Sequence, residues 1–142
     1  NKTKNLFIEY AESLNIDLNF QNFNKEINNF PCEYIIPDGA LILVKINEFP
    51  IGCVGLRKID KAICEMKRLY VKPEYRKNKI GNELIKNILQ IAKELNYKYM
   101  RLDTLPSMTN AIHLYKKYGF YKIEAYRYNP IEGTLFFEIK LV

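Results

Sequence analysis

A cluster of cations between an apolar run and a long helical pattern is where this sequence most clearly indicates chemistry. Six cations lie close together there, opposed only by Glu74: Lys67, Arg68, Lys72, Arg76, Lys77 and Lys79. The first amides of a helix lack partners within it and carry the positive end of its dipole, so a helix start here could bind a phosphate group. Gly81 would let the main chain approach that ligand closely. For this segment alone, an ordinary strand-loop-helix junction with Gly81 serving packing is an equal alternative.

Another segment, residues 105–120, carries a tyrosine on a helical face. The apolar side chains at helical spacing are Met108, Ala111, Ile112 and Tyr115. Taken alone, Tyr115 is read more readily as a core aromatic than as a catalyst. His113 falls on the polar face, so we expect it to be exposed rather than to act as a ligand or base. Gly119 is placed to end the helix.

The elements that must position these segments form an α/β pattern. Two apolar helical patterns, at 4–14 and 20–29, precede a change of period. The later elements are a hairpin at 40–46 and 51–56, strands at 62–71, 99–104, 120–128 and 134–142, and helices at 81–95 and 108–118, the last capped by Ser107. The order ααβββαβαββ predicts a mixed sheet flanked by helices. No linker or repeat interrupts the chain, so we expect residues 1–142 to form a single domain.

The composition is that of an ordinary globular protein, with 48% apolar and 27% charged residues. No stretch approaches the roughly 18 apolar residues of a membrane helix, and no secretory signal is visible, so we expect a cytoplasmic protein with no membrane partner. The net charge of +6 favours an anionic partner. Lysines gained through an A/T-biased genome are the alternative, and the clustering of the cations argues against it.

The three cysteines are odd in number and have neither CxxC nor zinc-ligand spacing. We therefore expect no metal. Cys53 and Cys64 lie in apolar, strand-like surroundings and are read as small core residues.

Together the two segments resemble the GNAT superfamily of acetyl-CoA-dependent N-acetyltransferases. The basic segment is similar to motif A, Val-x-Pro-x-x-Arg/Gln-x-x-Gly-x-Gly/Ala, matched at Val71, Pro73, Arg76 and Gly81. The tyrosine-bearing segment is similar to motif B, Ala-x-x-x-Tyr-x-x-x-Gly-Phe, matched at Ala111, Tyr115, Gly119 and Phe120. The resemblance covers about residues 40–142 and implies a GNAT-like mixed, mostly antiparallel, splayed central sheet. Residues 65–71 and 102–108 resemble a bacterial subgroup whose acceptors are mostly unassigned.

Three features depart from the family pattern. The first motif A glycine falls at Lys79, so the loop must adopt a conformation open to a side chain; we expect binding to survive, because Lys79 offers its amide and adds a cation. The asparagine that many relatives place before the tyrosine is Met108 here, and Asn110, roughly 200° around the helix, does not inherit its role. The chain also starts almost at its first helix, so we expect the first family strand to be missing.

The resemblance implies where acetyl-CoA should bind. The pantetheine arm should lie as an extra strand beside residues 69–71, on an edge that a splayed sheet leaves open. The pyrophosphate should lie on the amides of residues 76–81, and an amide near Leu69 or Tyr70 should polarise the acyl carbonyl. The residues predicted to bind the cosubstrate are Leu69, Tyr70, Val71, Arg76, Lys77, Asn78, Lys79, Ile80, Gly81, Asn82 and Ala111.

The implied reaction is direct attack by a neutral amine on the thioester. Tyr115 should protonate the departing thiolate, since a phenol with a pKa near 10 keeps its proton at neutral pH. Glu65, read as alternating with Lys67, Leu69 and Val71 along its strand, is the candidate general base, acting through water. A salt bridge between Glu65 and a nearby cation is at least an equal alternative. Asp103 is a poorer candidate, because it can simply satisfy loop amides.

The acceptor site should be bounded by residues 20–36 and by the loop at Tyr126, Tyr128 and Asn129. Several phenols with few acids favour a small amine or an amino acid over a polyamine or a histone tail. A protein-lysine acetyltransferase and a CoA-binding regulatory domain without turnover are alternatives. A nucleic-acid-binding module is a third, but no helix-turn-helix or RNA-binding signature is present, so no nucleic-acid partner is expected. We expect a monomer or a homodimer.

Overall fold

The computed structural model describes residues 5, 6, 8–10 and 38–142, except for the side chains of Lys77 and Asn78. Residues 5, 6 and 8–10 are helical, within the helix predicted at 4–14. The helix predicted at 20–29 lies outside the described residues. The elements that follow are β1 (Ala40–Ile46), β2 (Phe49–Lys58), β3 (Ile63–Val71), a 3₁₀ helix (Pro73–Asn78), α1 (Ile80–Glu94), β4 (Tyr99–Thr104), α2 (Thr109–Tyr118), β5 (Tyr121–Ile123) and β6 (Leu135–Lys140).

The six strands form one sheet in the order β1-β2-β3-β4-β6-β5. Only β3 and β4 are parallel, and every other neighbouring pair is antiparallel. The mixed, mostly antiparallel sheet predicted from the sequence is therefore confirmed.

The parallel strands β3 and β4 are paired along only a short part of their length. β3 and β4 are paired from Ile63 opposite Tyr99 to Glu65 opposite Arg101, and then separate. β3 continues to Val71, and no strand in the described part of the chain pairs with the edge that it turns towards β4. We call the space between residues 66–71 of β3 and 102–104 of β4 the split. It is the splay that the resemblance implied.

A β-bulge in β3 changes which residues face each side of the sheet. Cys53 of β2 is opposite Tyr70 and Gly55 is opposite Lys67, so Val54 alone opposes two residues of β3. Arg68 is one of the two and has a left-handed φ of 58°.

The predicted alternation along β3 is wrong because of this bulge. Leu69 and Val71 pack into the main core beneath the helices, together with Cys64 and Met66. Glu65 and Lys67 have the opposite parity and face the other side of the sheet. The bulge therefore separates Glu65 from Leu69 and Val71, whereas Lys67 stays on the same face as Glu65.

The main core lies between one face of the sheet and the helices α1 and α2. The buried side of α1 is an apolar stripe formed by Leu84, Ile85, Ile88, Leu89 and Ala92. Burial of each large aliphatic side chain contributes about 1.5–3 kcal/mol, which holds α1 beneath β2 and β3. On the opposite face, Leu6 of the first helix packs against Cys53 and Tyr70. Cys53 and Cys64 are both fully buried, as predicted.

Several predicted boundaries need correction. The strand predicted at 120–128 ends at Ile123, because the following residues leave the sheet and turn Tyr126 and Arg127 towards β3. The residue before α2 is Met108, without a side-chain cap, so Ser107 does not cap that helix. Gly119 ends α2 with φ 104°, as predicted. Among the described helices, none has the length and apolar content to span a membrane.

Candidate active site

The basic loop becomes the 3₁₀ helix, which leads directly into α1. Lys79 joins the two helices in a left-handed conformation, with φ 60° and ψ 23°. This is a conformation that glycine adopts easily and that costs other residues about 1–2 kcal/mol. Lys79 therefore adopts it in place of the glycine expected from the family pattern. The side chain of Lys79 does not cap the start of α1, so Lys79 leaves the first amides of the helix available to an anion.

The residues around this helix start are held by contacts with their neighbours. Arg76 donates from Nε to the Val71 carbonyl over 2.8 Å, and its guanidinium lies 5.4 Å from the centre of the Tyr70 ring. The Tyr118 hydroxyl donates to Asn82 Oδ1 over 2.9 Å, which ties α2 to the first turn of α1. Lys77 and Asn78 contribute described main chain only, and Ile80 is the first residue of α1.

Packing does not explain why residue 81 is glycine. A Cβ added there would meet Leu114 Cδ1 at 3.7 Å, which is ordinary van der Waals contact. Close approach of a ligand to the main chain is therefore the better explanation of Gly81. Ala111, on the first turn of α2, is partly buried and packs against the main core.

The side chain of Tyr70 is hydrogen-bonded to the first helix. Its hydroxyl donates to Glu9 Oε2 over 2.7 Å, and Lys72 Nζ donates to Oε1 of the same carboxylate over 2.6 Å. Burial and the adjacent Glu9 raise the pKa of Tyr70 to about 12. The main chain, not the phenol, is thus the part of Tyr70 that a ligand in the split can use.

Tyr115 is buried, with 5% of its surface exposed, and its ring lies 5.6 Å from that of Phe120. Burial raises its pKa, and the Tyr10 phenol and Asp103 carboxylate raise it further. Tyr115 therefore stays protonated at neutral pH. No described residue hydrogen-bonds its hydroxyl. The ring serves the core while the hydroxyl retains a proton to donate.

Glu65 is fully buried and surrounded by donors. Its Oε1 accepts from Arg57 Nε over 2.7 Å, and its Oε2 accepts from Arg127 over 2.5 Å and from the Tyr126 hydroxyl. Burial raises the pKa of Glu65, but Lys67, the two arginines and the phenol outweigh that effect and hold it below the usual range. This environment favours the salt-bridge alternative over the general base.

Glu65 belongs to a row of polar residues that crosses the sheet. In register, Arg57, Glu65, Arg101 and Glu138 lie on four successive strands, and Tyr121 of β5 is opposite Glu138. Arg101 Nε donates to Glu138 over 2.8 Å, and Tyr121 donates to the same carboxylate over 2.5 Å. The row lies at the end of the split where β3 and β4 are still paired, and its charged side chains form ion pairs.

Further along, where the strands have separated, lie charged side chains to which the sequence analysis gave other roles: Lys67 and Arg68 in the basic cluster, and Asp103 as the poorer candidate for the general base. Lys67 and Arg68 are 6% and 4% exposed on β3, and Asp103 is partly buried on β4. Asp103 accepts from Asn129 Nδ2 over 3.4 Å. The Tyr10 hydroxyl is hydrogen-bonded to Arg68. Alternation on β4 from Arg101 to Asp103 was the sequence signal that could have placed Asp103 here.

The six cations read as one cluster are therefore divided among different surroundings. Lys67 and Arg68 are buried beside the split, whereas Lys72 is paired with Glu9. Lys79 is exposed at the start of α1. His113 is exposed on α2, as predicted. No group of three potential metal ligands occurs among the described residues.

Comparisons with known proteins agree with this arrangement. Residues 4–120 match the family described as Acetyltransferase (GNAT) family. An uncharacterized N-acetyltransferase of Dictyostelium discoideum is 36% identical over 202 aligned residues, covering 99% of this chain and 94% of that protein. Because that relative is eukaryotic, the bacterial subgroup stays a prediction.

Two solved structures illustrate the similarity of fold. A GNAT family acetyltransferase from Staphylococcus aureus is 23% identical, with a TM-score of 0.82 over 100% of this chain and 96% of that one. A GNAT family acetyltransferase from Elizabethkingia anophelis, with acetyl-CoA bound, is 27% identical, with a TM-score of 0.62 over 72% of this chain and 76% of that one.

Proposed function

Since this chain belongs to the GNAT family of acetyltransferases, we propose that it transfers an acetyl group from acetyl-CoA to the primary amine of a small molecule or an amino acid. The split is the observation that carries the proposal. Among the described residues, it combines an edge of β3 that pairs with no strand and a helix start, at the end of the same strand, that the Lys79 side chain does not cap. The Elizabethkingia protein, which shares the fold, has acetyl-CoA bound.

The fit to acetyl-CoA can be argued from the main chain. The edge at residues 69–71 offers amides and carbonyls to an extended pantetheine arm. The amides of residues 76–81, with the cation of Lys79, offer donors and positive charge to the pyrophosphate. Ala111 is a small residue on the helix that flanks this path, and Gly81 allows close approach. Acetyl-CoA supplies the activated acyl group.

The residues of the chain then have distinct tasks. An amide at Leu69 or Tyr70 stabilises negative charge as it develops on the acyl oxygen. The amine nitrogen forms a bond to the acyl carbon, the carbon–sulfur bond breaks, and Tyr115 gives its proton to the departing sulfur. Most of the rate enhancement comes from positioning the two reactants and excluding water.

The proton lost by the amine needs an acceptor. Glu65 as general base stays a prediction, and its ion pairs favour a structural role. Asp103 is the better candidate, because it is only partly buried and acts on Tyr115 electrostatically, which puts it on the reacting side of the split. The proton would pass from the amine to Asp103, directly or through water.

The loop after β5 is proposed to bound the acceptor. Tyr126 contacts Glu65 and Asn129 contacts Asp103, while Tyr128 is 82% exposed at the surface of the same loop. Residues 20–36, the other predicted boundary, lie outside the described residues. Four expectations from the sequence stay predictions. They are that residues 1–142 form one domain, that the protein is a monomer or a homodimer, that it is cytoplasmic, and that it has no nucleic-acid, membrane or metal partner.

The test is release of free thiol from acetyl-CoA with a panel of amines, amino acids and lysine peptides. We expect turnover with at least one small amine or amino acid. Turnover with lysine peptides alone would replace the proposal with a protein-lysine acetyltransferase. Stoichiometric binding of acetyl-CoA without turnover of any acceptor would replace it with a CoA-binding regulatory domain, which the ion pairing of Glu65 favours as the second candidate.

A further inference from the structure

We propose that Asn129 is a positioning residue for the general base: its side-chain amide holds one oxygen of the Asp103 carboxylate, so that the other oxygen receives the proton of the amine. The inference rests on the proposed function and adds a residue to the same site. It starts from the hydrogen bond between the loop after β5 and strand β4, in which Asn129 Nδ2 donates to Asp103 Oδ2 over 3.4 Å.

The orientation of the Asn129 amide is fixed by its own loop. Its Oδ1 accepts from the main-chain N–H of Ile131 over 2.9 Å, which forms an Asx turn. A main-chain N–H can only donate, so the amide oxygen must face Ile131 and the NH₂ group must face Asp103. Hydrogen bonds at catalytic sites are often long before the substrate binds and tighten in the complex, and the length of this one fits that behaviour.

The rest of this turn is held against the end of β4. The Thr134 hydroxyl donates to the Ile131 carbonyl over 2.7 Å. Gly133 lies so close to Pro106, two residues beyond β4, that a Cβ added to the glycine would be 3.1 Å from Pro106 Cγ. The loop therefore presents the Asn129 amide to β4 from a braced position, as a residue that orients a catalytic group requires.

The two carboxylates near the split are held by different kinds of donor. Glu65 is fully buried and accepts from two arginines and a phenol; although burial raises its pKa, its charged neighbours and the phenol hold it below the usual range. Asp103 is partly buried and accepts from a neutral amide. A neutral donor orients a carboxylate without adding a positive charge, which would oppose uptake of a proton. The contact with Asn129 thus suits a base, whereas those of Glu65 suit an ion pair.

Asp103 also lies where several elements converge. The titratable groups that face it from the other elements are Lys67 of β3, Tyr115 of α2, Tyr10 of the first helix and Tyr126 of the loop, and it acts electrostatically on each. A carboxylate that turned towards the Lys67 ammonium would be a weaker base. The hydrogen bond from Asn129 opposes that rotation and keeps Asp103 apart from the acid, Tyr115, whose proton goes to the sulfur.

Two substitutions of Asn129 separate its turn from its amide donor. Asn129→Ser keeps an oxygen that can accept from the Ile131 N–H but lacks the NH₂ group. Asn129→Asp also keeps the turn but places a second carboxylate against Asp103. The matched control is Asn87→Asp, the same substitution at an exposed asparagine of α1 whose Nδ2 donates to the Glu83 carbonyl.

The readout is steady-state thiol release with one acceptor over a range of pH. Asn129→Ser should lower kcat about tenfold and leave KM for acetyl-CoA nearly unchanged, because only the orientation of the base is lost. Asn129→Asp should move the acidic limb of the kcat/KM profile about one unit to higher pH, because a neighbouring negative charge favours the protonated form of Asp103. The acceptor is the same in every assay, so its own titration cancels. The control should keep the wild-type kcat and profile.

A double variant distinguishes positioning from a general structural role. In an Asp103→Asn background, Asn129→Ser should cost little further activity, since the group that it orients is already gone. A residue that only shaped the loop would cost the same in both backgrounds. If Asn129→Ser does not fold, the profile of Asn129→Asp decides.

The outcomes separate this inference from the proposed function. An acidic limb that Asn129→Asp leaves in place, an equal loss for Asn129→Ser in both backgrounds, or full activity of Asp103→Asn would overturn the inference and leave the acetyltransferase standing. If no amine is turned over by the wild type, the proposed function fails and the inference fails with it.

Discussion

Glu65 shows how its neighbours decide the use of a buried carboxylate. It has no exposed surface, and burial by itself would make it easier to protonate. Arg57, Arg127 and Tyr126 donate to its two oxygens and keep it ionised. A base that must take up a proton near neutral pH needs a raised pKa, so this carboxylate is better suited to holding the β2, β3 and loop segments together.

Glu65→Gln should destabilise the protein by about 3–5 kcal/mol, because it removes the charge of a fully buried carboxylate that pairs with two partly buried arginines. Chemical denaturation at pH 7 measures this, with the exposed Glu132→Gln as control. The lowered pKa of Glu65 also determines how stability depends on pH. The ionised Glu65 stabilises the folded protein fully above about pH 4.3, the usual pKa of a glutamate, and this stabilisation is lost as the pH falls through the lower pKa that Glu65 has in the folded protein. The variant should therefore lose less stability in acid than the wild type. A variant as stable as the control would contradict the ion-pair role.

Tyr115→Phe should lower kcat by about a hundredfold while the fold persists, because only the hydroxyl is removed from a ring that packs in the core. Steady-state thiol release gives kcat, and thermal unfolding checks the core. An unchanged kcat would remove Tyr115 from the mechanism.

At the residue scale, the sequence motifs identified candidate functional residues, but the sequence did not predict which side chains contact one another. Tyr115 was identified from its spacing to Ala111 and Gly119. The partners of Glu65 come from β2 and from a loop some sixty residues further along, and no local pattern indicates which cations meet there. For the same reason Lys67 and Arg68 were read as part of a single basic cluster with Lys72, Arg76, Lys77 and Lys79.

At the element scale, the junction between the 3₁₀ helix and α1 is the decisive local structure. Lys79 adopts a left-handed conformation there, next to helix amides that its own side chain does not cap. This strained turn aims the start of α1 at the end of β3, so the helix amides and the open strand edge can serve one ligand.

Lys79→Gly and Lys79→Ala separate the conformation of this residue from its charge. Both variants remove the cation, but only glycine adopts a φ of 60° without strain, so the glycine variant should be the more stable by about 1 kcal/mol. Both should bind acetyl-CoA more weakly than the wild type at low salt. Thermal unfolding and titration measure the two effects. If the alanine variant is as stable as the glycine variant, the claim that residue 79 is in a strained conformation is wrong.

The bounds of most elements followed from periodicity and turn residues. The strand predicted at 99–104 and the helices predicted at 81–95 and 108–118 agree with the structure to within a residue. The bulge at Arg68 was missed, because Lys-Arg-Leu-Tyr contains no glycine or turn residue. β5 was predicted too long, because the attraction of Glu65 for Tyr126 and Arg127 is a long-range interaction.

At the scale of the whole molecule, the sheet serves its two faces differently. One face packs on α1 and α2 and supports the proposed cosubstrate path, whereas the other carries the charged row and the first helix. The split joins the two faces, so Tyr10 and Asp103 on one side act electrostatically on Tyr115 on the other. The family resemblance implied the splayed sheet, whereas composition and periodicity alone gave only a mixed α/β fold.

The most direct measurement is a thermal-shift titration of the purified protein with acetyl-CoA, run in parallel with S-acetyl-pantetheine, which lacks the diphosphate. At about a hundred times its dissociation constant, acetyl-CoA should stabilise the protein by roughly 2.7 kcal/mol. The truncated compound should produce much less at the same concentration, because it cannot use the amides at the start of α1. A melting temperature that acetyl-CoA leaves unchanged, or equal shifts with both compounds, would contradict the account.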